Sequence, residues 1–264
     1  MSEKKWSSIL LNGYIVLFLC FMFGPLLMMS AAAFNGYAPP SVTHWAGFTL
    51  HWFEDLPRQG RLMGCLGNSF EIAGIVVPVS VFLGLAAAML LTRLKAKGTS
   101  LLYALLVSPI LMPGIVLGIS TILFWQAVGL GAGMATAVMA QITFIASYPM
   151  LIIMSRMQRQ DPVLEEAALD LGATPMFMFR RVTLPFLMPA ILTSAVIALL
   201  MSFENYNTTV FAIGGDCTLT TEIAAQARKG HTPIINALGV IFVALTVAVS
   251  TVYVLFLRKE RDQG

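Results

Sequence analysis

Glu204 stands in Ser202-Phe203-Glu204-Asn205-Tyr206-Asn207-Thr208-Thr209, a polar patch inside an otherwise apolar run. A carboxylate in such a place costs about 2.5–3.5 kcal/mol to put into lipid on insertion scales. It must therefore face a partner group or a wet passage. Asn205, Tyr206 and Asn207 add amide and phenol groups that hydrogen-bond polar solutes. Two readings stay open. Either Glu204, Asn205, Tyr206 and Asn207 line a passage and offer a negative site to a cationic solute, or Glu204 makes a structural hydrogen bond to another chain. Covalent chemistry has no such foothold: the chain holds no G-x4-G-K-[ST], no H-E-x-x-H and no G-x-S-x-G. No catalytic residue and no cofactor of its own are expected. No metal site is expected either, because His44 and His51 lack a third ligand.

The second chemistry-bearing stretch is residues 161–189, DPVLEEAALDLGATPMFMFRRVTLPFLMP. Asp161-Pro162 is an N-cap followed by proline at the first helical position. Glu165 and Glu166 then fall in the first turns, near the positive end of the helix dipole. Leu164, Ala167, Ala168 and Leu171 share one side at helical spacing. Gly172 is the natural stop, since the residue ending a helix is often left-handed. Thr174-Pro175 repeats the start signal, and Arg180-Arg181 lead into Leu184-Pro185. The spacing predicts a helix–glycine–helix elbow over residues 161–185, set between two apolar spans.

The elbow's spacing carries a family resemblance. Glu166-Ala167-Ala168, Gly172, and Leu184-Pro185 fit the pattern E-A-A-x3-G-x9-I-x-L-P of the EAA loop of ABC importer permeases. Val182 replaces the usual isoleucine, a change of one methylene. The resemblance implies that Glu165, Glu166, Ala167, Ala168, Leu171, Gly172, Ala173, Leu184 and Pro185 form a coupling helix and its frame, docking on a separate ATP-hydrolysing subunit. SPILMPGIVLG (108–118), the acid after Ser202-Phe203, and Asn236-Ala237-Leu238 are similar to the spermidine/putrescine branch. From this follow the expected partners: an ATPase dimer binding ATP and Mg, a second permease that is a different chain rather than a copy, and an external solute-binding protein. On this reading the structural alternative for Glu204 is a hydrogen bond to the partner permease. The implied fold is all-α, the six-helix membrane domain of a type I importer, with residues 1–264 forming one permease domain. The implied function is passage of a polyamine-like cation.

Composition agrees with a membrane setting. Of 264 residues, 58% are hydrophobic and only 11% charged, with mean hydropathy +0.82. Ordinary globular chains carry about 25% charged residues. Spans of about 20 apolar residues fall near 9–33, 69–91, 101–127, 132–154, 186–213 and 234–257. They must be helices, because lipid offers the backbone no other partner. The first could pass for a signal peptide, but its apolar stretch exceeds the usual h-region, so an uncleaved anchor is expected. Lys4, Lys5, Arg93, Lys95, Lys97, Arg156, Arg159, Arg180, Arg181, Arg258, Lys259 and Arg261 fall at the termini and even-numbered loops. Arg58, Arg61, Arg228 and Lys229 fall opposite. The positive-inside rule then places both termini and the elbow on the cytoplasmic side, and the resemblance implies a bacterial inner membrane. Basic residues in small groups between spans exclude a nucleic-acid face.

Residues 34–68 form the longest external loop, with an amphipathic run at 48–56. It suits either aromatic anchoring at the lipid headgroups or docking of the binding protein. Cys20 is an apolar packer. Cys65 and Cys217 fall in external loops, where a disulfide or two free thiols are both open. An outer helix is expected near 220–229, with Glu222 solvated. Two competing functions remain. One is the same architecture carrying ferric iron, an amino-acid-like solute or an opine. The other is an ion-gradient transporter, which would require several intramembrane acids; only Glu204, and Glu71 near a span end, are candidates.

Overall fold

A computed structural model of the chain describes residues 2–93, 98–230 and 232–261. Lys95 and Lys97 of the basic-residue pattern, His231 and the end of the charged tail lie outside the described residues. The chain divides into two compact units, one up to Met63 and from Ile223 on, the other Gly64–Glu222.

In the first unit, α1 (Ser2–Ala33) packs against the C-terminal helix Pro233–Arg261. That contact is close: a Cβ on Gly239 would lie 2.6 Å from Met29 Cε. Between them the loop after α1 folds around the fully buried Asn35. Its Nδ2 donates to the carbonyls of Ser41 and His44, both at 2.7 Å. Its Oδ1 accepts from the backbone of Tyr37 and Ala46, and its own carbonyl accepts from Trp52 Nε1 at 2.8 Å. The amphipathic run expected at 48–56 is helical only over α2 (His51–Asp55) and the 3-10 turn Leu56–Arg58. Asn35 organises this loop by long-range hydrogen bonds that no local pattern announces.

The second unit begins within α3 (Gly60–Arg93) and continues through α4 (Thr99–Leu111), α5 (Gly114–Ala127), α6 (Met134–Ile145) and α7 (Ser147–Met157). The elbow follows as α8 (Pro162–Asp170) and α9 (Pro175–Met178), then α10 (Leu184–Glu204), α11 (Thr209–Ala212) and the first turn of α12 (Leu219–Lys229). The C-terminal helix of the first unit is α13. Leu10–Ala33, Gly60–Arg93, Met134–Met157 and Pro175–Glu204 are long and apolar enough to cross a membrane; α4 and α5 make a fifth crossing if counted together. Within α13 the apolar stretch Pro233–Ala248 is shorter. Each expected span falls on helix, but among the described residues four, or five with α4 and α5 counted together, are long and apolar enough to cross a membrane, against the six expected.

The expected third span, 101–127, is not one rod. α4 and α5 meet at 108°. Met112 is extended (φ −87°, ψ 140°), the conformation that a following proline imposes by clashing with an α-helical predecessor. Pro113 also lacks the N–H that would continue the ladder. The expected fifth span, 186–213, stops at Glu204, where Asn205 turns extended and only the short α11 resumes. Pro149 similarly interrupts α6–α7, because its ring would meet the carbonyl four residues back.

Two clusters hold the unit together. Ile72 and Val76 of α3 pack with Ala137, Ala140 and Ile145 of α6, Ala198 of α10, and Ala212 and Ile213. Ala88 of α3 packs with Ile153 and Met157 of α7 and with Leu187 and Ala190 of α10. Alanines dominate because close backbone approach, rather than expulsion of water, drives helix association in lipid. Cys65 lies in the second turn of α3, not in a loop, and is bonded to Cys217. Ser69 Oγ accepts from Leu219 N at 2.9 Å, and Asn68 Nδ2 donates to the Cys217 carbonyl at 3.0 Å. Glu222, expected to be solvated, is 6% exposed. Its helix turns that face into the protein beside the disulfide, which amphipathic spacing alone does not decide.

Candidate functional site

The elbow forms as its capping signals require. Asp161 Oδ1 accepts from Val163 N at 3.0 Å, and Thr174 Oγ1 accepts from Phe177 N at 3.3 Å. Gly172 has φ +82°, the left-handed value that costs glycine least. It lets Ala173 N reach the Ala168 carbonyl at 3.1 Å. A π-helical turn, Phe179–Thr183, joins α9 to α10. The widened turn accommodates Pro185, which cannot donate to the carbonyl four residues back.

Leu171 is 89% exposed at the tip of the elbow, with Val163, Leu164, Met176 and Phe177 also uncovered. Ala168, Leu171, Gly172, Ala173, Thr174 and Phe177 line a groove of about 500 Å³. Of the exposed apolar side chains, Leu171 and Phe177 line this groove. Glu166 and Ala167 are exposed beside it. Leu184 and Pro185 lie outside the groove and instead open α10. Glu165 differs from its neighbour Glu166. Its carboxylate turns inward, paired with Arg93 at 2.9 Å and accepting from Thr183 Oγ1 at 2.7 Å.

The second constellation gathers where the helices break. Glu204, Asn205, Tyr206 and Asn207 share a cavity of about 260 Å³ with Ile110, Met112, Gly114, Phe144, Tyr148, Met201 and Thr208. Glu204 is exposed at the C-terminus of α10, and its carboxylate has no partner among the described residues. Phe144 and Tyr148 stand edge to face, ring centroids 5.7 Å apart, on the same wall. A carboxylate with aromatic faces nearby is the setting in which a desolvated ammonium is held, by charge and by the ring quadrupole.

Asn205 has a structural task besides. It is 8% exposed, and its Oδ1 accepts from Thr208 N at 3.3 Å, from Thr209 Oγ1 at 3.3 Å and from Thr208 Oγ1. It therefore shapes the break while also lining the cavity. Gln141 extends the network, donating to Thr209 Oγ1 at 2.8 Å and accepting from Ser202 Oγ at 2.6 Å. Gly114 and Gly118 of α5 admit this turn at close range: a Cβ on Gly118 would stand 2.7 Å from the Thr208 carbonyl oxygen. Sequence reasoning missed Gln141, Phe144 and Tyr148. A glutamine within an apolar span was the one available signal. Glu71 lines a different cavity, with Ile72, Ile75 and Met134.

An all-helical membrane chain with a broken span, an acid at the break and a bare apolar elbow has the form of a transport component. Residues 80–262 match the family model "Binding-protein-dependent transport system inner membrane component", and the chain belongs to that family. It is a membrane subunit of a transport system, not an enzyme. It is 34% identical to the putrescine transport system permease protein PotI of Escherichia coli K12, over 83% of this chain and 80% of that one. It is 26% identical to the spermidine/putrescine transport system permease protein PotC of Haemophilus influenzae, over 94% and 96% of the two chains. Its fold resembles a bacterial ABC transporter involved in import of the acidic polysaccharide alginate, with TM-score 0.71, 18% identity, and coverage of 97% and 96%.

Proposed function

We propose that this chain is a permease subunit forming half of the solute passage in an ATP-driven importer of a polyamine or a related small organic cation. The observation that carries the solute class is the unpartnered Glu204 carboxylate facing a cavity walled by Phe144 and Tyr148. The alginate importer shares the fold while carrying a polyanion, so the fold leaves the charge of the solute open, and the acid supports a cation. A separate ATPase dimer holds ATP and Mg, and the groove around Leu171 with exposed Glu166 is where it docks. A second, different permease chain completes the passage, and an external binding protein delivers the solute. Both termini and the elbow are cytoplasmic, as the basic residues require.

In this mechanism ATP closes the ATPase dimer and draws both elbows together. The two permease halves then rotate as rigid bodies and open outward. The polyamine enters, its ammonium exchanging water for the Glu204 carboxylate and ring faces. Hydrolysis returns the passage inward. Glu204 must bind weakly enough to release its cargo, so one acid in a partly open cavity suits it better than a closed cage.

The test is Glu204→Gln in the assembled complex. Removing a charge-assisted contact should raise the apparent KM for putrescine about tenfold or more, with subunit assembly intact. Unchanged putrescine uptake at every concentration would remove Glu204 from the passage.

A further inference from the structure

We infer that Glu165 is the positioning residue through which motion of the elbow reaches the spanning helices; this rests on the coupling role proposed above. Three donors from three separate parts of the chain converge on its carboxylate. Arg93 Nη2, in the last turn of α3, donates to Oε1 at 2.9 Å and to Oε2 at 3.1 Å. Gln160 Nε2, just beyond α7, donates to Oε1 at 3.2 Å. Thr183 Oγ1, in the π-turn that opens α10, donates to Oε1 at 2.7 Å. One side chain of α8 thus ties the elbow to the ends of α3, α7 and α10. Those are the three helices joined by the cluster of Ala88, Ile153 and Leu187.

The strength of the joint comes from convergence rather than from charge. Arg93 and Glu165 side chains are 42% and 23% exposed, so water screens their attraction and the pair alone would be a weak fastener. Thr183, by contrast, is fully buried, and its hydroxyl would lose a strong acceptor if the carboxylate swung out. Each charge also sits at the helix end that favours it, Arg93 at the C-terminus of α3 and Glu165 in the first turn of α8. The next residue does the opposite. Glu166, about 100° further round the helix, is exposed and has no partner among the described residues. Two adjacent acids divide the labour: Glu166 is left for the ATPase, and Glu165 holds the elbow to its own helices.

A second fastener between α7 and α10 bypasses the elbow. Arg156 Nε donates to the Phe186 carbonyl at 3.3 Å, and its guanidinium lies 4.5 Å from the Phe186 ring centroid. Loss of Glu165 therefore loosens the elbow without parting the bundle, and the expected phenotype is uncoupling.

The experiment compares Glu165→Gln, Arg93→Gln and the charge swap Arg93→Glu with Glu165→Arg. Each variant is reconstituted with the partner permease, ATPase and binding protein. ATPase co-purification, ATP hydrolysis and putrescine uptake are read from the same vesicles. Glu165→Gln should retain the ATPase and its hydrolysis while putrescine moved per ATP falls about tenfold or more; Arg93→Gln should lower that ratio less, and the swap, which leaves Thr183 and Gln160 no acceptor at position 165, should not restore it. Uptake and hydrolysis falling together with loss of the ATPase would overturn the inference, placing Glu165 in the docking surface itself. An unchanged ratio would overturn it as well. A solute-independent reading separates this from a wrong solute. In a Cys20→Ser background, spin labels at Asp170 and Thr193 should keep one narrow distance with and without nucleotide, and that distance should broaden in Glu165→Gln. If wild-type vesicles take up no putrescine yet this broadening occurs, the proposed solute fails and the joint stands. If the labels report no difference, the joint fails.

Discussion

Replacing Gly118 by alanine should damage transport from a position that touches no solute. The added Cβ would lie 2.7 Å from the Thr208 carbonyl oxygen, 3.0 Å from its Cα and 3.2 Å from its carbonyl carbon. All three are backbone atoms, and the nearest is about 0.7 Å short of ordinary contact at 3.4 Å. No rotamer can relieve the clash, so α5 or the turn at 205–208 must move. Overpacking of this kind costs about 1–3 kcal/mol, and the turn carries the Asn205 network that ends α10 at Glu204. Gly114→Ala is the graded comparison: its Cβ meets Asn207 Cβ at 3.0 Å, a milder overlap than 2.7 Å. Gly67→Ala is the neutral control, with nothing within 4 Å and a small helix-propensity gain of about 1 kcal/mol. Thermal unfolding in detergent and putrescine uptake should both rank Gly118→Ala below Gly114→Ala, and that below Gly67→Ala. If Gly118→Ala matched Gly67→Ala in both assays, α5 would not be held against the turn as described.

Further expectations follow from single residues. Leu171→Ala removes most of the apolar side chain at the elbow tip, worth about 1.5–3 kcal/mol if the ATPase buries it; pull-down of the ATPase should weaken about tenfold or more, while the variant's own thermal midpoint stays put. Asn205→Ala leaves Thr208 and Thr209 donors without their acceptor, a loss of about 1–3 kcal/mol that a lowered midpoint in detergent should register. Alkylation without reductant should label Cys20 and spare Cys65 and Cys217; labelling of all three would contradict the bond. Cys65→Ser should lower stability by about 2–4 kcal/mol, read as a lower midpoint that reductant no longer shifts.

The elbow was legible because its signals are local: two caps, two prolines and one glycine each act within a few residues. The apolar spans were legible for the same reason, since span length follows from membrane thickness. The break at Met112-Pro113 was less so. Proline is common in membrane helices and often only kinks them, and here packing of α5 against residues 205–208 accompanies a bend of 108°. The end of α10 at Glu204 depends on Asn205 and on Gln141, which lies far back in sequence. The inward turn of Glu165 depends on Arg93, 72 residues away, while Glu166 beside it faces out. Two neighbouring acids look equivalent in a sequence and differ only once tertiary partners exist. The burial of Glu222 and the joining of Cys65 to Cys217 across 152 residues belong to the same long-range class.

The most direct measurement reconstitutes this chain with its partner permease, ATPase and binding protein into vesicles that carry no ion gradient, and follows labelled putrescine with and without ATP on the elbow side. The account predicts uptake that requires ATP and the binding protein and that unlabelled spermidine competes away. Uptake driven only by an imposed ion gradient would contradict the ATP-coupled mechanism, and vigorous ATP hydrolysis with no polyamine uptake would contradict the assignment of Glu204 to a polyamine passage.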